Sequence, residues 1–431
     1  MRHASRLLSL LVLTLALLSA CDHDHDVPVS EHGRTVLIYM AGHNSLGYSG
    51  YHHQDSLEIA NGTAAMERGD RLLMFIDDGT RPRLYLFTRE SRTPQLVRTR
   101  DKAVNAADAA TLSDVRTGGA HTYPADDYGL VLWSHASGWL PSAKRIQSEQ
   151  QGSPASPAGH PLSFGIDVGE DGNMKSDLAV AGQYPDEMEV DDLAEAIHSS
   201  GIHLSYILFD CCLMQNVEVC YALRHAADYI IGSPMAISAN GGFYTDLLAQ
   251  GLFSSYPPDI VETYYRAIAG KGSVASKDDF GIVISAVRTD RLEALAAAVR
   301  QAWQASTFMQ RQSPDLGQVQ WYQAYNSKYY YRPHNYDMAD AFRATLSPEA
   351  LPAVLRAIDD AVVAHAATDQ IYVGPGLFSF KKVKSEAVGL SMFFPQDIYT
   401  RNAQACRIGD LNALIHRTAW YDACGMSVTG W

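Results

Sequence analysis

Two of the apolar segments in this sequence are followed by side chains that could together catalyse acyl transfer. His135 lies just after the apolar run 130–133, and Cys212 lies just after the run 206–209. A cysteine thiol attacks a carbonyl carbon, and a histidine imidazole supplies the proton to the leaving amine. The alternative is structural: Cys211 and Cys212 would be small buried side chains, and His135 a core histidine with satisfied hydrogen bonds.

The elements that would position these residues are buried strands of an α/β protein. From residue 34 onward, nearly continuous apolar runs alternate with segments of helical periodicity, which is typical of a mainly parallel sheet covered on both faces. Ligands bind beyond the carboxyl ends of such strands, so we expect both reactive groups at one crevice. A helix is predicted to begin near Asn216, and its N-terminus would favour the thiolate of the cysteine before it. The apolar runs cover 36–40, 72–76, 130–133 and 206–209, and the helical segments cover 191–199, 217–227, 260–269, 292–302 and 350–366.

The composition is that of a folded, acidic protein. The chain has 431 residues, of which 47% are hydrophobic, enough for a large core, and its formal net charge is −14. An acidic balance gives no electrostatic attraction to nucleic acid, so we expect no nucleic-acid partner. We also expect a monomer.

The N-terminal residues 1–20 have the pattern of a bacterial export signal. Two arginines precede an apolar run at 7–18, which is too short to cross a bilayer and ends in Leu-Ser-Ala before Cys21. This ending resembles a lipobox, in which the cysteine becomes the lipidated first residue of the mature protein. The alternative is a plain signal peptide with an incidental cysteine. We therefore predict a membrane lipid anchor at Cys21, a flexible tether over 21–33, and a cell-envelope location as an outer-membrane lipoprotein, either periplasmic or surface-exposed.

Longer motifs surround both candidate residues. The segment Trp133–Trp139 is Trp-Ser-His-Ala-Ser-Gly-Trp, and the segment Asp210–Met214 is Asp-Cys-Cys-Leu-Met. They resemble the His-Gly-x-Gly-Trp and Asp-Ala-Cys-Leu-Met motifs of the clostripain family of cysteine peptidases, relatives of caspases and gingipains. Further similar segments lie in family order at 36–46, 229–233 and 389–395. The resemblance therefore extends over about residues 34 to 395.

The resemblance implies a fold and a division of the chain. The fold would be a caspase-like three-layer αβα sandwich with a mainly parallel central sheet and a C-terminal helical extension. The catalytic domain would span 34–290. The C-terminal part, 291–431, would pack on this core and contribute a late strand near 389–395.

The resemblance also implies roles for individual residues of a peptidase site. His135 matches the catalytic histidine and Cys212 the nucleophile. The backbone N–H groups of Cys212 and Ala136 would hold the oxyanion, with Ala136 in place of the family's glycine. Asp210 matches an acid of the pocket that recognises Arg or Lys before the scissile bond, although it could instead be a structural residue that caps the turn. The family's second pocket acid has no counterpart in Pro234–Phe243, so we expect a weaker preference for basic residues.

Two further segments carry weaker predictions. Oxygen-bearing side chains between 167 and 177 could bind calcium, on which clostripain itself depends, but their spacing differs from that of an EF-hand, and a solvated acidic loop is the alternative. No cofactor is required by the sequence, and we assign no metal ligand. Lys144 and Arg145 lie in the long segment where family members are cut during self-activation; the alternative for this pair is surface charge. The oxygen-bearing residues are Asp167, Glu170, Asp171, Asn173 and Asp177.

The sequence therefore predicts a lipid-anchored, exported cysteine endopeptidase. The alternative is a catalytically silent surface lipoprotein that binds a peptide or another ligand in the same cleft. A third possibility is another thiol hydrolase or amidase that uses the same pair of residues.

Overall fold

The computed structural model describes most of the chain beyond the N-terminal segment. The predicted export signal, Cys21 and all but the last residue of the predicted tether lie outside the described residues. In the part of the chain that the structure describes, no helix is both long enough and apolar enough to span a membrane. The described ranges are 33–91, 93–150, 163–170, 172–175, 184–270, 280–305, 313–326, 331–373, 380–403 and 409–431.

Short strands are distributed along the whole described chain. They are β1 (Arg34–Ala41), β2 (Arg71–Asp77), β3 (Arg83–Phe87), β4 (Gln95–Thr99), β5 (Asp127–Trp133), β6 (Ala136–Gly138), β7 (Ser163–Asp167), β8 (Asp186–Glu189), β9 (Leu204–Asp210), β10 (Ala227–Gly232), β11 (Val283–Arg288), β12 (Trp321–Asn326), β13 (Tyr331–Asp337), β14 (Val362–Ala367), β15 (Gln370–Tyr372), β16 (Phe380–Lys382) and β17 (Ser391–Met392).

Helices alternate with these strands. They are α1 (Ser45–Tyr48), α2 (Tyr51–Gly62), α3 (Ala109–Thr122), α4 (Ala143–Gln150), α5 (Val190–His198), α6 (Val217–Ala222), α7 (Tyr244–Gln250), α8 (Asp259–Ala269), α9 (Leu292–Ala305), α10 (Met338–Thr345), α11 (Leu351–Ala361), α12 (Asp397–Arg401), α13 (Leu411–Ile415) and α14 (Ala419–Ala423).

A nine-stranded sheet forms the centre of the protein, in the order β14-β11-β10-β9-β5-β1-β2-β3-β4. The strands from β10 to β2 in this order all pair in parallel. Antiparallel pairs extend the sheet at both sides, through β11 and β14 on one and β3 and β4 on the other. The predicted class, an α/β protein with a mainly parallel central sheet, is confirmed.

Helices cover both faces of this sheet. Successive side chains of a strand point to opposite faces. Accordingly, Leu37 and Tyr39 belong to a core that includes α3, α5 and α9, whereas Val36 and Ile38 belong to a second core that includes α2, α7 and α8. Two cores separated by one sheet give three layers in the order αβα. Each central strand is buried on both sides, which is why its sequence is a continuous apolar run.

The described residues of 291–431 pack against the preceding part of the chain and share its sheet. Strand β14 completes one edge of the nine-stranded sheet, and buried residues such as Trp420 and Met426 extend the first core. This part contains strands as well as the predicted helices. The late strand is shorter than the predicted 389–395: only Ser391–Met392 is a strand, and it pairs with β13.

Candidate active site

Cys212 and His135 follow two neighbouring parallel strands. β5 and β9 pair with Trp133 opposite Asp210, so both residues lie two positions beyond the paired strand ends. The structure therefore places the two residues at the same carboxyl edge of the sheet.

The two adjacent cysteines have different environments. Cys211 is 1% exposed and belongs to the first core, whereas Cys212 is half-buried and packs against the second core. Both are free thiols. The two side chains therefore pack on opposite faces of the sheet, and Cys212 is the more exposed of the two thiols.

The thiol of Cys212 lies against the backbone of Ile237. The amide nitrogen of Ile237 is 3.4 Å from Cys212 Sγ and donates a hydrogen bond to it, and the carbonyl oxygen is 3.9 Å away. Burial raises the pKa of Cys212, and the hydrogen bond from Ile237 opposes this rise. A helix does begin at Val217, close to the expected Asn216, and its effect on the thiolate stays a prediction. A base must remove the thiol proton when the sulfur attacks.

The turn after Cys212 is held in a strained backbone conformation. Leu213 has φ of +69°, and no other non-glycine residue in the described ranges has positive φ. Its amide donates to the carbonyl of Met235 at 3.0 Å, and the amide of Gln215 donates to Ser233 at 3.1 Å. The segment 233–235 after β10 therefore fixes the turn that carries the thiol.

His135 is fixed through both its backbone and its ring. Its carbonyl oxygen accepts a hydrogen bond from the amide of Gly165 at 2.9 Å. Its ring nitrogen Nε2 lies 3.0 Å from the hydroxyl of Ser45, the first residue of α1. We did not predict Ser45 as a site residue, although it lies in the segment 36–46 that resembles the clostripain family.

Ala136, whose amide is predicted to hold the oxyanion, begins β6 and pairs with Phe164 of β7. Since φ is not positive at this position, the methyl group in place of the family's glycine requires no left-handed torsion. The position that does have a left-handed backbone torsion is Gly138, with φ of +70°. A Cβ atom there would lie 2.6 Å from the carbonyl oxygen of Leu213. The segment after His135 thus packs directly on the turn after Cys212.

Asp210 is buried beneath the site, with 3% of its surface exposed. Its Oδ1 accepts hydrogen bonds from the Tyr264 hydroxyl at 2.8 Å and from the Gly242 amide at 2.9 Å, and its Oδ2 accepts from the Tyr244 hydroxyl at 2.8 Å. Burial raises the pKa of Asp210, and these three donors oppose the rise. A contact with a substrate guanidinium would require these hydrogen bonds to be exchanged. The arrangement therefore favours the structural role that we considered for Asp210 over a direct contact with substrate.

Asp55 on α2 is a second buried carboxylic acid near Asp210, which the sequence motifs did not indicate. It is 2% exposed, and its Oδ2 has no hydrogen-bond partner. Burial, followed by the charges of Asp210 and Glu58, raises the pKa of Asp55 to about 9. Asp55 is therefore neutral at pH 7 and does not replace the missing pocket acid.

The acidic segment 167–177 is only partly described, since Asp171 and Asp177 lie outside the described residues. The carboxylate of Asp167 is buried, pairs with His43 at 2.9 Å, and accepts hydrogen bonds from the amides of Ala106 and Gly169. Within the described ranges, no group of three or more His, Cys, Asp or Glu side chains is arranged to hold a metal ion. Calcium binding stays a prediction.

The dibasic pair lies in a helix rather than in a loop. Lys144 and Arg145 belong to α4, where Lys144 forms an ion pair with Asp186, and Arg145 lies 3.7 Å from Glu189. Cleavage after either residue would require this helix to open, because a peptidase needs an extended substrate backbone. Self-cleavage here is a prediction that the structure does not test.

A thiol and an imidazole at one edge of neighbouring parallel strands, within a three-layer αβα sandwich, define a class: the cysteine peptidases with a caspase-like fold. Comparison with known proteins gives the family. The sequence profile of the clostripain family matches residues 38–152 and 181–417, so the chain belongs to the clostripain family and is a cysteine peptidase.

Solved structures of C11 proteases are similar to this protein over nearly the whole chain. A secreted C11 cysteine protease from Bacteroides thetaiotaomicron, in complex with an irreversible peptide inhibitor, is 27% identical, with a TM-score of 0.71 over 92% of this chain and 99% of that one. An inactive zymogen C11 protease from Parabacteroides distasonis is 28% identical, with a TM-score of 0.70 over 91% of this chain and 98% of that one. A comparison with curated protein sequences gave no match.

Proposed function

We propose that this protein is an endopeptidase in which Cys212 is the nucleophile and His135 the acid/base. The observation that carries the proposal is the register of β5 and β9, which places both residues two positions beyond a paired strand end. The burial of Cys211 supports the choice of Cys212 between the two thiols.

The proposed reaction has two steps. In the first, His135 removes the proton of the Cys212 thiol as its sulfur attacks the peptide carbonyl, and the same proton passes to the leaving amine. In the second, His135 removes a proton from water as its oxygen attacks the thioester carbon; the C–S bond then breaks, the acid product leaves, and the proton returns from His135 to the Cys212 sulfur. The backbone N–H groups of Cys212 and Ala136 would stabilise the oxyanion of each tetrahedral intermediate.

We expect only a weak preference for Arg or Lys before the scissile bond. Asp210 is hydrogen-bonded to Tyr244, Tyr264 and Gly242, Asp55 is neutral at pH 7, and Pro234–Phe243 contains no acidic residue. A basic substrate side chain would therefore gain less than the ~1.5–3 kcal/mol of a full contact between charged groups.

We further propose that the mature protein is anchored in the cell envelope by a lipid on Cys21. The support is the N-terminal sequence, in which an apolar run of twelve residues at 7–18 is followed by Ser-Ala-Cys. Metabolic labelling with a radioactive fatty acid should mark the wild-type protein and not the Cys21→Ser variant. Label retained in the variant would contradict the anchor.

Replacement of each thiol in turn tests the proposed nucleophile. Cys212→Ala should abolish hydrolysis of fluorescently labelled casein, while the unfolding midpoint stays close to that of the wild type. Cys211→Ala is the matched control: it removes the neighbouring thiol from the core and should retain turnover. Equal loss of activity in the two variants would contradict the assignment. Binding of casein without hydrolysis by the wild type would favour the silent binding protein.

A further inference from the structure

The structure brings the side chain of Ser45 into hydrogen-bond contact with the ring of His135. The Ser45 hydroxyl oxygen is 3.0 Å from His135 Nε2, and both residues are half-buried. The two residues are 90 positions apart in the sequence: Ser45 begins α1, and His135 lies between β5 and β6.

The position of Ser45 is fixed by the turn between β1 and α1. The buried side chain of Asn44 donates to the carbonyls of Ala41 and Ile166 at 2.9 Å each, and accepts from the amide of Leu46 at 3.0 Å. A Cβ atom on Gly47 would lie 1.9 Å from the carbonyl oxygen of Gly42, so the turn closes tightly enough to require glycine there.

The same network holds the chain on the other side of the contact. The hydroxyl of Ser134, the residue before His135, donates to the carbonyl of Ala41 at 2.6 Å and lies 3.3 Å from Asn44 Nδ2. Both the hydroxyl of Ser45 and the backbone that carries the imidazole are therefore attached to the end of β1. The contact between them is built into the fold.

On the proposed function, in which His135 is the acid/base, we infer that Ser45 is a positioning residue that orients the imidazole and selects its tautomer. The Nε2–H group donates to Ser45 Oγ, which assigns proton exchange with Cys212 to Nδ1. When His135 takes the thiol proton, both ring nitrogens are protonated, and Ser45 accepts a hydrogen bond from the charged ring.

This role predicts a specific kinetic signature for Ser45→Ala. We expect kcat to fall about tenfold, equivalent to about 1.4 kcal/mol, with KM for a quenched peptide substrate nearly unchanged. The acid limb of the kcat/KM profile against pH should move to lower pH, because the protonated ring loses an acceptor. Ser45→Thr, which retains the hydroxyl, should recover most of the turnover. Ser49→Ala, an exchange of the same kind at the exposed residue that follows α1, should match the wild type.

The outcomes distinguish this inference from the proposed function. Wild-type kcat and pH profile in Ser45→Ala would overturn the role of Ser45, as would an equal loss in Ser45→Ala and Ser45→Thr. In either case, inactivity of Cys212→Ala would leave the proposed function standing. Full activity of Cys212→Ala would overturn both.

Discussion

Exchange of Asp210 for asparagine separates a structural role from a role in substrate recognition. In the asparagine variant, an oxygen at the Oδ1 position still accepts from Tyr264 and Gly242. The amide nitrogen at the other position donates, so the Tyr244 hydroxyl must turn to accept from it. One of the three hydrogen bonds therefore reverses its direction, and all three lose the charged carboxylate as their acceptor. We expect the unfolding free energy to fall by about 1–2 kcal/mol.

The effect on catalysis should not depend on the substrate side chain. If Asp210 only supports the loop 241–244, its exchange changes kcat/KM by the same factor for peptides with Arg or Gln before the scissile bond. If its carboxylate instead contacted the substrate cation, the Arg peptide alone would lose ~1.5–3 kcal/mol, or roughly 10–150-fold in kcat/KM.

The assay compares two quenched peptides that differ only in this residue, alongside urea denaturation of the same preparations. Asp246→Asn is the matched control, because it removes the same charge from an exposed position on α7. An unchanged ratio of the two kcat/KM values in Asp210→Asn is the expected result. A tenfold or larger fall for the Arg peptide alone would refute the structural role.

Two further variants test the packing and the titration of groups around the site. Gly138→Ala should lower both the unfolding free energy and kcat, because its Cβ would lie 2.6 Å from the Leu213 carbonyl oxygen. Gly201 has a similar positive φ, +65° against +70°, but a Cβ there would have nothing within 4 Å, so equal unfolding midpoints of Gly138→Ala and Gly201→Ala would exclude the clash. Burial raises the pKa of Glu218 from 4.5 to about 7. Between these pH values the folded protein keeps the proton on Glu218, whereas the unfolded chain has released it. The contribution of Glu218 to the free energy of unfolding therefore falls by about 3 kcal/mol as the pH rises from 4.5 to 7. Glu218→Gln should remove this part of the difference between the unfolding free energies that urea denaturation gives at pH 5 and at pH 7.5. A variant with the same difference as the wild type would contradict a protonated, buried Glu218.

The central part of the fold could be predicted from the sequence because burial on both faces determines which residue types a strand contains. Strands covered on both faces are continuous apolar runs, and four of these runs became the parallel strands β1, β2, β5 and β9. The positions of His135 and Cys212 at one edge followed from parallel pairing. The late strand was overestimated, because an apolar segment such as 389–395 can be buried without pairing along its full length.

The chemistry of the individual groups could not be predicted, because it depends on contacts between distant parts of the chain. The partners of Asp210 include Tyr264, 54 residues further on, and the ring of His135 contacts Ser45, 90 residues earlier. The pKa of Cys212 is raised by burial of the thiol and lowered in part by the hydrogen bond from Ile237, 25 residues further on, whereas the local sequence indicated only a nearby helix N-terminus.

Covalent labelling of the folded wild-type protein tests the central claim most directly. Peptidyl acyloxymethyl ketones with Arg, Lys or a neutral residue at the recognition position transfer their peptide to an attacking thiol, and peptide mapping by mass spectrometry locates the adduct. We predict a single adduct on Cys212 and little labelling of the His135→Ala variant. An adduct on Cys211 or Cys220, or no adduct from any of the three probes, would contradict the account.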